Sequence, residues 1–109
     1  MEIQIKATGF DLSESIRETI HRKLAVLDRL LSEEVAAGSS LVRVEVAKTT
    51  AHHRKGEDIF RAEVMLTLPG ETIRVDEGGA DLYTLLDTLK DTLAEKVKQY
   101  KELRREKGF

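Results

Sequence analysis

Two of this chain's three histidines and three of its Lys and Arg side chains fall in one ten-residue stretch. KTTAHHRKGE, from Lys48 to Glu57, gathers Lys48, His52, His53, Arg54 and Lys55 against a single acid. Three chemistries are open to it: a solvated turn, a metal-binding histidine pair, or one part of an anion-binding surface. His52 and His53 are adjacent, so in an extended loop they point apart, and no carboxylate stands at ligand spacing around them. The third histidine, His21, belongs to a different segment, and there is no cysteine to complete a ligand set or act as a thiol nucleophile. No serine or threonine lies in a nucleophile-elbow or phosphate-loop pattern, and no acid–base pair stands out. DEGGAD (Asp76–Asp81) could in principle seat an anion on the free N–H groups of a helix start. The acids on both sides of its glycines favour a strand-to-helix turn capped by Asp81 instead. These residues propose no catalytic site, no metal and no cofactor.

A second basic region lies at the end of the chain. Residues 90–109 hold seven Lys/Arg (Lys90, Lys96, Lys98, Lys101, Arg104, Arg105 and Lys107) and four acids, a net of +3. Residues 1–89 hold eleven Lys/Arg and sixteen acids, a net of −5, so the formal −2 of the whole hides a polarised molecule. A basic tail plus a basic loop is a footprint for phosphate. Lys and Glu on an exposed helix face are also simply solvated in many proteins, so charge alone does not settle function.

The elements that must position these groups read clearly. EIQIKAT (Glu2–Thr8) alternates strictly, with Ile3, Ile5 and Ala7 on one face, as a half-buried strand does. GFDLSE follows with a glycine turn and two candidate helix caps, Asp11 and Ser13. Ile16, Ile20, Leu24, Leu27 and Leu31 then recur at helical spacing, predicting one amphipathic helix of about five turns that ends before AAGSS. LVRVEVAK, DIFRAEVMLTL and ETIRVDE predict three further strands, the last two joined at Pro69-Gly70 as an antiparallel hairpin. Leu82, Leu85, Leu86, Leu89, Leu93, Val97, Tyr100 and Leu103 form the stripe of a final long helix, whose last turns should overhang the domain after about residue 100.

The order β-α-β-β-β-α, with one apolar face per strand, predicts an α+β fold: a four-stranded mixed sheet with two helices packed on one face. The first two strands, joined through a helix, should pair in parallel. At 109 residues, with 40% hydrophobic and one proline, the chain reads as a single ordered domain spanning residues 1–109. No apolar run approaches the ~20 residues of a membrane helix, and the amino terminus alternates where a signal peptide would be apolar, so a soluble cytoplasmic protein is the expectation.

DLYTLLDTLKDTL (Asp81–Leu93) is similar to the Asp-Leu-Tyr…Asp signature of the last helix of ribosome hibernation-promoting factors, also called ribosome-associated inhibitor or ribosomal subunit interface proteins. IQIKATGFDLSESIRETIHRKLAVL resembles that family's first strand and helix, with Lys23-Leu24 in its Lys-Leu position. VEVAKTTAHHRKGEDIFRAEVML resembles the middle hairpin of members whose loop carries paired histidines. The resemblance covers nearly the whole chain and implies the fold already derived. It implies a ribosome ligand, not an enzyme, with no small-molecule substrate and no membrane. Such a protein would bind the small ribosomal subunit over the mRNA and tRNA channel, inhibit translation and preserve inactive ribosomes under stress.

By matching position, Lys23, Lys98 and Lys101 would contact rRNA phosphates, and Tyr83 would either contact RNA or fill the sheet–helix seam. Thr92, Glu95 and Val26 stand at positions that are often basic in relatives, and Lys90, Lys96, Arg54 and Lys55 are expected to compensate. The chain ends at Phe109 without the additional dimerisation domain of long-form members, so it resembles a short form. Lys48, His52, His53, Arg54 and Lys55 would then join the basic last helix in a discontinuous rRNA-binding surface, where phosphate and shape outweigh base reading. The histidines would add charge below about pH 6.5. A rival reading is a protein-interaction module that uses an exposed strand edge or the last helix.

Overall fold

The computed structural model describes residues 1–38, 40–48 and 59–106. The basic loop residues His52, His53, Arg54 and Lys55 lie outside the described residues.

Strand β1 (Glu2–Thr8) leads into a turn at Gly9, whose φ is +83°. A Cβ there would stand 2.4 Å from the Lys48 carbonyl oxygen, so both the backbone angle and the space demand glycine. Ser13 then caps helix α1 (Glu14–Leu24), its Oγ accepting a hydrogen bond from the Ile16 N–H at 3.1 Å. Of the two caps proposed from sequence, Ser13 is the one used.

The predicted single helix is broken into three. Helices α2 (Val26–Leu30) and α3 (Ser32–Ala36) follow α1, separated by Ala25 and by Leu31 at φ −117°, ψ 33°. Neither break contains glycine or proline. At the first, the Ala25 N–H reaches back only to the Arg22 carbonyl, a three-residue step that tightens the turn. Leu24, Leu27 and Leu31 all remain buried across the breaks. Burying a leucine is worth roughly 1.5–3 kcal/mol, more than the ~1 kcal/mol net of one backbone hydrogen bond. Packing therefore prevails over helical regularity, which a periodicity of side chains cannot reveal.

Strands β2 (Leu41–Lys48), β3 (Phe60–Leu68) and β4 (Glu71–Gly79) complete a sheet ordered β1-β2-β3-β4. β1 pairs with β2 in parallel and the other neighbours are antiparallel, as anticipated. Gly70 at φ +78° closes the two-residue β3–β4 turn after Pro69. Val42, Val44, Val46, Ala62, Val64, Leu66, Leu68, Ile73 and Val75 are buried on one face, and the helices cover it.

Helix α4 (Leu82–Glu106) starts at Asp81, whose carboxylate accepts hydrogen bonds from the Thr84 N–H (3.2 Å) and hydroxyl (2.5 Å). These bonds hold the Asp81 carboxyl below the usual carboxylate range. Leu82, Leu85, Leu86, Leu89, Leu93, Val97 and Tyr100 bury against the sheet and α1–α2. Leu103, expected on the same stripe, is 52% exposed. The helix end is tied down by polar contacts instead: the Tyr100 hydroxyl and the Arg104 guanidinium both donate to the Pro69 carbonyl, at 3.0 and 3.1 Å.

Candidate nucleic-acid interface

Parallel pairing of β1 with β2, followed by two antiparallel strands, brings the ends of β1, β2 and β4 and the start of β3 to one edge of the molecule. α1 and α4 therefore set out from the same end and run side by side. Three cross-contacts follow in order along them: Ser15 to Tyr83 through their hydroxyls at 3.4 Å, Lys23 to Asp87, and Lys101 to Glu34.

Between the two helical segments lies a groove of 570 Å³, lined by Arg22, Lys23, Arg29 and Lys90 with Asp91 among them, over Ala25, Val26 and Ala94. The spacing explains the convergence. Arg22, Val26 and Arg29 recur at steps of four and three, one face of a helical path, and Ala94 lies four residues after Lys90 and three after Asp91 on the facing helix. Lys23 donates to Asp87, Lys90 pairs with Asp91 at 3.1 Å, and Lys101 makes a forked contact to the buried Glu34 at 3.2 and 3.3 Å. The Lys23 hydrogen bond, with smaller pulls from Lys90 and Arg22, holds the Asp87 carboxyl below its ordinary range. Lys23 and Lys90, held on a concave strip by the exposed carboxylates of Asp87 and Asp91, can exchange those carboxylates for phosphates.

The residues predicted from sequence divide. Lys23 and Lys90 line the groove, and Lys101 and exposed Lys98 continue along α4 beyond it. Tyr83 is 44% exposed at the start of this helical face and does not fill the core. Lys96 lies on the other flank of α4, in a shallow depression with Gln99 of the same helix and Glu71 and Arg74 of β4. Lys48 is exposed at the end of β2, its ammonium 5.8 Å from the centre of the Phe60 ring. The structure thus brings Lys23 and Lys90 together and sets Lys96 apart. Arg22 and Arg29 were missed by sequence reading, although their seven-residue separation on one helical face was the available signal. Val26 lines the groove itself, while Thr92 is half-buried and Glu95 exposed. His21 is exposed, and among the described residues no group of three or more His, Cys, Asp or Glu could hold a metal ion. No helix among them is long and apolar enough to cross a membrane.

A four-stranded mixed sheet backed on one side by two side-by-side helical segments defines an α+β domain, with a basic groove between those segments. By its match over residues 3–105, the chain belongs to the Sigma 54 modulation protein / S30EA ribosomal protein family. It is 30% identical over 98 residues to the ribosome hibernation promotion factor of Deinococcus radiodurans, covering 90% of this chain and 48% of that protein. It is 26% identical over 102 residues to the factor of the same name from Picosynechococcus, covering 94% and 50%. The chain thus spans about half the length of these curated relatives. Among solved structures, it is similar to the N-terminal domain of Thermus thermophilus Protein Y, with 30% identity, a TM-score of 0.70, and coverage of 92% of this chain and 99% of that one. A ribosomal subunit interface protein from Coxiella burnetii shares the fold, with a TM-score of 0.73 at 24% identity over 94% and 99% of the two chains.

Proposed function

We propose that this chain is a ribosome hibernation factor that binds the small ribosomal subunit at the mRNA and tRNA channel, inhibits translation and preserves inactive ribosomes. The observation that carries this reading is the groove between the helical segments, where Arg22, Lys23, Arg29 and Lys90 converge although the chain is acidic overall. Family membership and the names of the Deinococcus and Picosynechococcus relatives support the same role.

The mechanism is steric and electrostatic, with no bond made or broken. Folded rRNA presents phosphates on a defined surface, and the groove cations with Lys98 and Lys101 engage them in place of their own carboxylates. Lys48 extends the contact from the end where both helices begin, and His52, His53, Arg54 and Lys55 are expected to add further cations. The acids elsewhere repel nucleic acid that does not match this arrangement. A protein seated over the channel excludes mRNA and tRNA while it remains bound.

Binding to purified small subunits, large subunits and whole ribosomes distinguishes the outcomes, with cell-free translation as a second readout. The proposal predicts stoichiometric co-sedimentation with small subunits and whole ribosomes, and inhibition of translation at the same protein concentration. Binding confined to large subunits, or binding to small subunits without inhibition, would contradict it.

A further inference from the structure

We propose that the free edge of β1 is a self-recognition surface through which two copies of this chain associate, antiparallel, into a continuous eight-stranded sheet. β1 is a sheet edge, paired on one side only, and it contains no proline, glycine or bulge to blunt it. Glu2, Gln4, Lys6 and Thr8 are exposed on the open face of the sheet, and Ile3 and Ile5 point toward the helical layer. Those two isoleucines are only half-buried, whereas Val42 and Val44 beside them on β2 are 0% and 2% exposed. The apolar row therefore runs out at this edge without being covered.

The charges select the partner and its register. If both helical layers are to lie on the same side, even-numbered residues must face even-numbered residues across a two-fold axis. Centring that axis on Gln4 sets Glu2 opposite Lys6 twice, once on each side, and sets Ile3 opposite Ile5 twice on the inner face. Cross-strand pairs of opposite charge and of β-branched residues are the favourable units of sheet pairing. Sliding by two residues, so that Ile5 meets Ile5, leaves Glu2 opposite Thr8 and Gln4 opposite Lys6, and both charge pairs are lost. The other edge does not share this property. On β4, centring the axis on Arg74 sets Glu71 against Glu77 on each side, and centring it on Val75 sets Arg74 against Asp76 but places Ile73 opposite Glu77 on the inner face, with Asp76 already paired to Arg61 at 2.8 Å. Glu2 and Lys6 thus make one edge complementary to itself, and the occupant they fit is a second copy. The contact is a single strand pair, smaller than a standard interface, so association is weak and depends on concentration. It leaves the groove between α1–α2 and α4 open in both copies.

Sedimentation velocity of the full chain over a concentration series tests this directly, using wild type, Glu2→Lys, Lys6→Glu and the double swap Glu2→Lys/Lys6→Glu. Each single reversal turns two attractive pairs into two repulsive ones and is expected to weaken dimerisation about tenfold. The double swap restores both pairs and should return the wild-type constant. Both side chains are exposed, but Lys6 also stands opposite Glu45 on β2, so variants carrying Lys6→Glu should melt slightly lower while Glu2→Lys matches wild type, and melts run in parallel separate association from folding. A wild type that stays monomeric into the millimolar range would overturn the proposal. So would single reversals that dimerise as well as wild type, or a double swap that fails to recover.

Discussion

Lys23, Lys90 and Lys101 are each held by a carboxylate, from Asp87, Asp91 and Glu34 respectively. Rigid cations are thereby presented in place, at the cost of a competitor that phosphate must displace. Replacing Asp87 with Asn keeps the shape and removes that competitor, so Asp87→Asn should bind ribosomes several-fold more tightly, measured by co-sedimentation, with a melting temperature slightly below wild type from loss of the exposed Lys23 pair. Asp87, together with Asp81 at the start of α4, also sets an acid limit on stability. Asp81 and Asp87 have depressed folded pKa values, so their contribution is complete above the unfolded carboxylate value and is lost as pH falls through the lower folded values. Thermal melts should therefore be flat from neutrality down to about pH 5 and fall in temperature below about pH 4. Tyr100 works at the other extreme: burial raises its pKa, so its contribution holds below the ordinary tyrosine value and disappears as pH rises through the folded one. Tyr100→Phe, losing the bond to the Pro69 carbonyl, should cost about 1 kcal/mol in denaturant melts at pH 7. At this scale Lys23 entered through the resemblance to the family's Lys-Leu position and Lys90 as a compensating cation, and both line the groove. The acidic partners of Lys23 and Lys101 were not legible, because Asp87 lies 64 residues from Lys23 and Glu34 lies 67 from Lys101.

Strand alternation predicted one apolar face for each of β2, β3 and β4, because a period of two admits one solution when one face is buried. The break in the first helix was not legible: Leu24, Leu27 and Leu31 keep helical spacing whether or not the backbone bends between them. Nor was the role of Gly9, which depends on the Lys48 carbonyl, a neighbour it meets only once β1 and β2 pair. Gly9→Ala meets both a left-handed φ and a 2.4 Å clash with that backbone oxygen. It should destabilise the domain by roughly 2 kcal/mol or more, read as a loss in denaturant midpoint with unchanged slope. On the helical side, Leu93 is fully buried at the centre of α4, and Leu93→Ala should cost roughly 2–5 kcal/mol through lost burial and the cavity left behind.

The molecule is 51 Å along its longest axis and 25 by 18 Å across, with the groove between helical segments that run side by side from one end. Its acidic average charge conceals this arrangement, and dividing the sequence at residue 90 showed only part of it. The charge count credited the end of α4, whereas the groove also draws Arg22, Lys23 and Arg29 from the acidic half of the chain. That convergence is a product of topology: a parallel β1–β2 crossover lays α1 and α2 beside α4.

The claim that this groove engages rRNA phosphates is tested most directly by the salt dependence of ribosome binding, comparing wild type with Arg22→Ala, Arg29→Ala and Lys96→Ala. Removing one cation that neutralises a phosphate should lower the magnitude of the slope of log K against log salt by about one. Arg22→Ala and Arg29→Ala are therefore expected to weaken binding and flatten the slope. Lys96→Ala, on the opposite flank of α4, should change neither as much. Salt-independent binding, or slopes unmoved by Arg22 and Arg29 together, would contradict the account and point to a protein partner.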